Sequence, residues 1–294
     1  MRTIRSKSLP QDLSWESATT WGVSSPARSS LRALALLVAL VVAAGCGTIS
    51  LAEERQLGEQ VSRQVESEVT LVRDAEIVRY VDRLGRRLIA AAGPQPLSYR
   101  FAVVADPSLN AFAVPGGHVY VNTGALLAAA DMSELAGVMA HEVGHVALRH
   151  VAKSYNRQRN TGVLYQVGTV ALDVLVGGGA AAGGEVLGGL AATAYLTRYT
   201  REAEEEADRF AVAILPKAGI DPRGLVRFFE KLRAQAGGGG GLEFLSSHPT
   251  TADRIAEISA QIAAARLPAG LRRGDGELEE VQRRIRALDG SARR

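Results

Sequence analysis

Residues 139–150 read MAHEVGHVALRH. The chain has five histidines, and three of them, His141, His145 and His150, fall inside this window. On an α-helix, residues four apart share a face about one turn apart, so His141 and His145 can aim one ring nitrogen each at a single ion. Zinc takes imidazole nitrogen at about 2.0–2.1 Å and favours a tetrahedral site. Glu142, next to a ligand but turned aside, can reach a water on such an ion and take its proton as the water attacks. HExxH on a helix is a specific signature. Here the helix is expected over about 132–149, with Ser133 as N-cap and Leu135, Val138, Met139 and Val146 facing a core. His150 has the wrong spacing for the same face and reads as structural or exposed.

A catalytic zinc keeps three protein ligands and one open position. No third histidine follows at the short HExxHxxGxxH spacing. Downstream, TREAEEEADRFA at 200–211 offers Glu202, Glu204, Glu205 and Glu206, and helical geometry does not choose among them. A ligating histidine usually donates its other N–H to a carboxylate. Glu204 and Asp208 lie four apart, so one can bind the ion while the other holds a histidine. His248, in SSHPTTADR, follows five consecutive glycines at 237–241. A neutral imidazole on a movable loop can fill the open position as a gate. Its alternative is to cap or pack the next helix. Arg254 can steady the oxyanion of a tetrahedral intermediate or form an ordinary ion pair.

Outward from these motifs, apolar residues recur at helical spacing over 51–69 and 75–91, and GPQP at 93–96 ends the second run. YRFAVVAD at 99–106 reads as a strand, and 110–124 as two short extended segments about a Pro-Gly-Gly turn. Helical periodicity returns at 200–215, 222–235 and 251–265. Residues 162–196 are apolar and rich in Gly and Ala, each flank too short to span a bilayer. They read as a helical hairpin over the site, with a membrane-touching loop as the alternative. The tail, 266–294, reads as a charged helix with a solvated face.

The 294 residues contain 34 Lys and Arg against 31 Asp and Glu. Residues 1–45 hold five basic and two acidic side chains, which leaves 29 of each sign in the remainder. The basic excess is therefore local, and no nucleic-acid partner is expected. Within RSSLRALALLVALVVAAGCGT, a basic start precedes an apolar run and small residues, as in a secretory signal. Cys46 is the chain's one cysteine. Ala-Ala-Gly-Cys at 43–46 resembles the lipobox of bacterial lipoproteins, in which the cysteine is lipidated. Gly47 after it fits an outer-membrane destination. Residues 1–22 read as unstructured or untranslated. The chain divides into leader and lipoprotein signal (1–45), lipid-anchored tether and first helix (46–70), zinc metallopeptidase domain (71–265) and charged helical tail (266–294).

NAFAVPGGHVYVNTGAL, HEVGH, TREAEEEAD and SSHPTTADRI occur in that order. Together they resemble the HtpX/BepA-like zinc metallopeptidases, the family that includes the CAAX prenyl proteases. The resemblance covers about residues 60–262 and points to the soluble lipoprotein branch. It implies an α+β, mostly helical, gluzincin-like zincin domain with a small sheet beside the HExxH helix. It implies one Zn²⁺ per chain, and Glu204, the first residue of Glu-x-x-x-Asp, as third ligand. Arg201 matches the family's arginine three residues before it. It further implies that an edge strand, His118, Val119, Tyr120, Val121 and Asn122, pairs with extended substrate. The expectation is a zinc metalloendopeptidase on the periplasmic face of a bacterial envelope, cleaving unfolded or misassembled proteins. One rival is an integral-membrane protease that spans with 162–196. Another is a chaperone-like assembly factor held shut by His248.

Overall fold

The computed structural model describes residues 49–157, 199–235, 242–249 and 251–292. The leader, Cys46, the stretch 162–196 and the glycine run 237–241 lie outside them. Helix α1 (Leu51–Glu68) opens on a capping box, in which the Ser50 hydroxyl accepts from the Glu53 amide and the Glu53 carboxylate accepts from the Ser50 amide. Helix α2 (Ala75–Ala92) starts on Asp74, whose carboxylate accepts from the Glu76 and Ile77 amides.

Three strands follow: β1 (Arg100–Val104), β2 (Ala111–Val114) and β3 (His118–Asn122). The order is β1-β3-β2, with β3 parallel to β1 and antiparallel to β2. This corrects the edge-strand expectation. His118–Asn122 is the central strand, both of its sides are spent on the ladder, and all five of its residues are buried. Among the described residues β2 is the outer strand on that side. Pro115–Gly117 forms a single 3₁₀ turn between β2 and β3, with φ of 80° at Gly116 and 100° at Gly117, which side chains other than glycine's resist. α1 packs on this turn so closely that a Cβ at Gly58 would stand 2.4 Å from the Pro115 carbonyl oxygen.

After α3 (Thr123–Ala128) comes α4 (Met132–Ala147), the HExxH helix. Its N-cap is Asp131, not Ser133: the aspartate accepts from the Ser133 and Glu134 amides, and Ser133 sits inside the helix. α4 is buried from Met132 to Val146, as suits a helix apolar almost all round. It packs against α6 (Arg201–Lys217), α7 (Arg223–Gln235) and β2. A short helix, α5, covers 150–157, and α8 (Leu242–Ser247) and α9 (Ala252–Ala264) follow. Among the described residues no helix is long and apolar enough to cross a membrane.

The main core gathers Leu135, Val138, Met139 and Val143 of α4 with Ile77, Val81 and Leu88 of α2 and Phe228 and Phe229 of α7. Each such buried side chain contributes about 1.5–3 kcal/mol. A smaller cluster joins Val61 and Val65 of α1 to Val104, Phe112, Val114 and Tyr120 of the sheet. The tail is less solvated than its charge suggests. Helix α10 (Leu278–Ala292) buries Leu278, Val281 and Ile285 in the main core and lies against α2 and α3. The architecture is α+β and mostly helical, with the small sheet beside the HExxH helix.

Candidate metal centre

α4 brings His141 and His145 to one face, and their Nε2 atoms lie 3.0 Å apart. α6 runs alongside at a distance set by Gly144, where a Cβ would meet Ala207 Cα at 3.2 Å. That approach brings the acidic start of α6 to the histidines. Of its four glutamates, Glu204 is buried, 3.4 Å from His141 Nε2 and 3.5 Å from His145 Nε2. Glu202 is exposed, Glu205 pairs with Arg201, and Glu206 turns to His150. Arg201 points outward to Glu205 and Glu257 and takes no part in the cluster.

His248 follows α8 and reaches the same point. Its Nδ1 is 2.9 Å from Glu204 Oε1 and 3.3 Å from His141 Nε2. His141, His145, Glu204 and His248 thus offer four buried donor atoms within 4.8 Å of one another. Donors at about 2.0–2.1 Å from a tetrahedral centre stand about 3.3 Å apart, and the His141–His145, His141–His248 and His248–Glu204 separations of 3.0, 3.3 and 2.9 Å are close to this. Two or three imidazoles with one carboxylate are a donor set for a divalent transition metal.

The histidines are held from behind. Asp208 Oδ1 lies 2.9 Å from His141 Nδ1, so that nitrogen donates and Nε2 keeps its lone pair for the ion. The ring of Tyr199 stacks on His145 with centroids 3.9 Å apart, and Phe244 stacks on His248 at 4.6 Å. No spacing rule marks either aromatic residue in the sequence. Arg254 forms ion pairs, the second of its two expected roles, but does so buried inside the site. Its Nε and Nη2 donate to Asp208 at 2.5 and 2.8 Å, while Nη1 donates to the Pro249 carbonyl and forms an ion pair with Glu204 at 2.6 Å. The guanidinium holds both carboxylates and also lies 3.4 Å from the His141 ring nitrogens, so it clamps the cluster. His150 takes the structural alternative. It is buried, with Nδ1 3.1 Å from His145 Nδ1 and Nε2 2.9 Å from Glu206.

Electrostatics follow from burial and these pairings. Burial alone would raise Glu204, but the His248 and His141 rings outweigh it and hold the carboxyl well below the usual range. Asp208 is lowered against its burial by Arg254 and His141. Burial works against the His141 cation, yet Asp208 and Glu204 hold it above the ordinary imidazole value. His145 goes the other way, pushed well down by burial and by its histidine neighbours. Glu142 is fully buried and neither carboxylate oxygen has a well-formed hydrogen bond. Burial pushes it up to about 7, with His248, Arg254 and the Ala113 amide pulling back. His248 Nε2 stands 3.6 Å from Glu142 Oε1.

The Ala113 amide is informative about β2. The Asn122 amide donates to the Asn110 carbonyl, so even-numbered residues of β2 face β3. Ala111 and Ala113 therefore turn their N–H and C=O groups to the outer edge, beside Glu142. His118, by contrast, lies near Glu59 at 3.8 Å and Tyr120 donates to Glu66, both on α1.

A helix with two histidines and a buried carboxylate, a third donor from a second helix and an adjoining strand edge define a metallopeptidase domain. Residues 76–262 match peptidase family M48, and the chain belongs to that family, in its HtpX/BepA-like part. It is 33% identical over 213 residues to the beta-barrel assembly-enhancing protease of Escherichia coli K12, covering 71% of this chain and 44% of that protein. It is 30% identical over 225 residues to the metalloprotease LoiP of the same organism, 74% of this chain and 83% of LoiP. With the mitochondrial metalloendopeptidase OMA1 of Schizosaccharomyces pombe it shares 29% over 223 residues, 74% and 64% of the two chains. The chain thus spans less than half the length of the assembly-enhancing protease.

Proposed function

We propose that the chain is a zinc-dependent endopeptidase of a bacterial envelope, acting on unfolded or misassembled proteins. The observation that carries the proposal is Glu142: a fully buried carboxylate with no well-formed hydrogen bond, beside four clustered donors. A zinc ion, when bound, supplies a Lewis acid that polarises water and the scissile carbonyl. His141, His145 and Glu204 hold it. Glu142 takes the proton of the attacking water and returns it to the leaving amine, a role suited by a carboxyl raised toward neutrality. Asp208 keeps His141 in the ligating tautomer, and Arg254 fixes both carboxylates. An extended substrate pairs with the open edge of β2, where Ala111 and Ala113 offer main-chain groups next to Glu142. Main-chain pairing reads few side chains, which suits unfolded substrates. The likeness to a beta-barrel assembly-enhancing protease, 33% identical over 213 residues, supports an envelope role. Lipid on Cys46 would tether the domain at the outer membrane.

Casein digestion by the zinc-loaded protein is the direct test. Glu142→Gln should abolish cleavage while retaining one zinc per chain by elemental analysis. Retained cleavage would remove Glu142 from the mechanism. For the anchor, Cys46→Ala should shift the protein out of the outer-membrane fraction; an unchanged distribution would exclude lipidation as the tether.

The position of His248 favours a second, compatible reading: a mostly idle protease with an assembly role. His248 stands where the fourth donor belongs, and while there it excludes water and substrate. If the shut form is favoured by about 1.4 kcal/mol, about a tenth of the molecules are competent. His248→Ala should then raise casein cleavage severalfold at unchanged zinc content, whereas reduced cleavage would mean that His248 assists the reaction.

A further inference from the structure

The end of α4 contains an unusual turn. Arg149 has φ of 57°, and among the described residues no other residue but glycine has a positive φ. Such a conformation costs a branched or long side chain free energy and persists only where its surroundings impose it. Here they do. Arg149 Nε donates to Glu54 at 2.6 Å, Nη2 donates to the Ile49 carbonyl at 2.7 Å, and Glu54 is buried. The turn changes what His150 can touch. Along an uninterrupted helix, residues five apart point about 140° away from each other. With the chain turned back at Arg149, the His150 ring instead meets His145, 3.1 Å from Nδ1 to Nδ1.

The other nitrogen of His150 faces Glu206 Oε2 at 2.9 Å. A carboxylate only accepts, so His150 Nε2 carries the hydrogen and donates. His150 Nδ1 is then the lone-pair nitrogen, and it accepts from His145 Nδ1–H. That leaves His145 Nε2 with a lone pair, facing His141 Nε2 at 3.0 Å across the cluster. The chain of donors and acceptors closes in one direction only. We propose that Glu206 and His150 are positioning residues that fix the tautomer and ring angle of His145 for metal binding, with the Arg149–Glu54 pair setting His150 in place. Asp208 does the same for His141 with one residue; the second histidine has a two-residue relay.

The proposal rests on His145 being a metal ligand, so the experiment separates the two. Zinc affinity is measured by competition with a chromogenic chelator, and the cobalt-substituted protein gives a d–d spectrum that reports ligand geometry. His145→Ala should lose most of the affinity; wild-type affinity there would sink the ligand assignment itself. With His145 needed, His150→Phe should weaken binding about 10–100-fold and alter the cobalt spectrum. His150→Gln, which can still accept and donate, should recover most of both. Glu206 is half exposed, so Glu206→Ala keeps the fold whatever His150→Phe does, and should weaken binding severalfold. In the double variant the two losses should not add, because they break one chain. Unchanged affinity in Glu206→Ala, or additive losses in the pair, would overturn the relay.

Discussion

Glu142 is the residue at which stability and catalysis conflict. Its carboxyl is raised from an ordinary 4.5 to about 7 by burial. In the metal-free protein the folded state therefore binds the proton more tightly than the unfolded state does. Stability is then greatest below the unfolded value and falls as pH rises from about 4.5 to about 7. The cost above pH 7 is on the order of 3 kcal/mol. Glu142→Gln removes the charge. In protein stripped with chelator, the variant should gain about 3 kcal/mol relative to wild type at pH 8 compared with pH 4, read from urea unfolding. A pH-independent difference would mean the carboxylate is not buried at a cost. Much of this scale is legible in the sequence, because HExxH sets His141, Glu142 and His145 on one helix at spacings that suit their proposed roles. Glu204 is different: four glutamates compete within five residues, and only the depth of α6 beneath α4 separates them. His150 was hidden for a related reason, since its contact with His145 depends on the backbone turn at Arg149.

Among elements, the helices were readable and the sheet order was not. α2, α6, α7 and α9 carry an apolar stripe at helical spacing, and their ends fall within two residues of the periodic segments. β3 is buried on both faces, so it has no alternation to show which neighbour it takes or whether it lies at an edge. Pairing order is a long-range property, decided by how α1 and α4 cover the two faces. The contact between α1 and the Pro115–Gly117 turn is one of the close links in this arrangement. With a Cβ at Gly58 2.4 Å from a backbone oxygen, Gly58→Ala must displace either the helix or the turn that joins β2 to β3. Overpacking of this kind costs about 1–3 kcal/mol. The expected result is a lower urea midpoint at unchanged m-value. A midpoint equal to wild type would show that α1 moves freely on the turn.

At the scale of the molecule, the last segment is part of the same core. The charge of GELEEVQRRIRALDG suggests a solvated helix, but Leu278, Val281 and Ile285 are buried, and Gln282 donates to the Leu126 and Ala129 carbonyls. Arg284 pairs with Asp74, the N-cap of α2, at 3.2 Å. The stretch before α10 reaches the HExxH helix itself. The Ser133 amide donates to the Arg273 carbonyl at 2.8 Å, and the Arg273 guanidinium pairs with Asp131, the N-cap of α4. The Asp221 amide donates to the Arg272 carbonyl at 3.0 Å, tying the α6–α7 connection to the same strip. Removing 266–294 would therefore do more than trim a tail. It would uncover apolar side chains each worth about 2–5 kcal/mol on truncation and free the N-terminal end of the helix that carries His141, Glu142 and His145. Total stability of a domain is about 5–15 kcal/mol, so this loss is a large fraction of it. A chain ending at Ala265 should unfold at a much lower temperature than the full chain, and zinc should raise its midpoint by more than it raises that of the full chain only if the fold survives. The internal control is Leu278→Ala with Ile285→Ala in the full-length protein, which should reproduce most of the thermal shift. A truncated chain melting within a degree or two of wild type would mean that 266–294 is an appendage and that α4 is held by α6, α7 and the sheet alone.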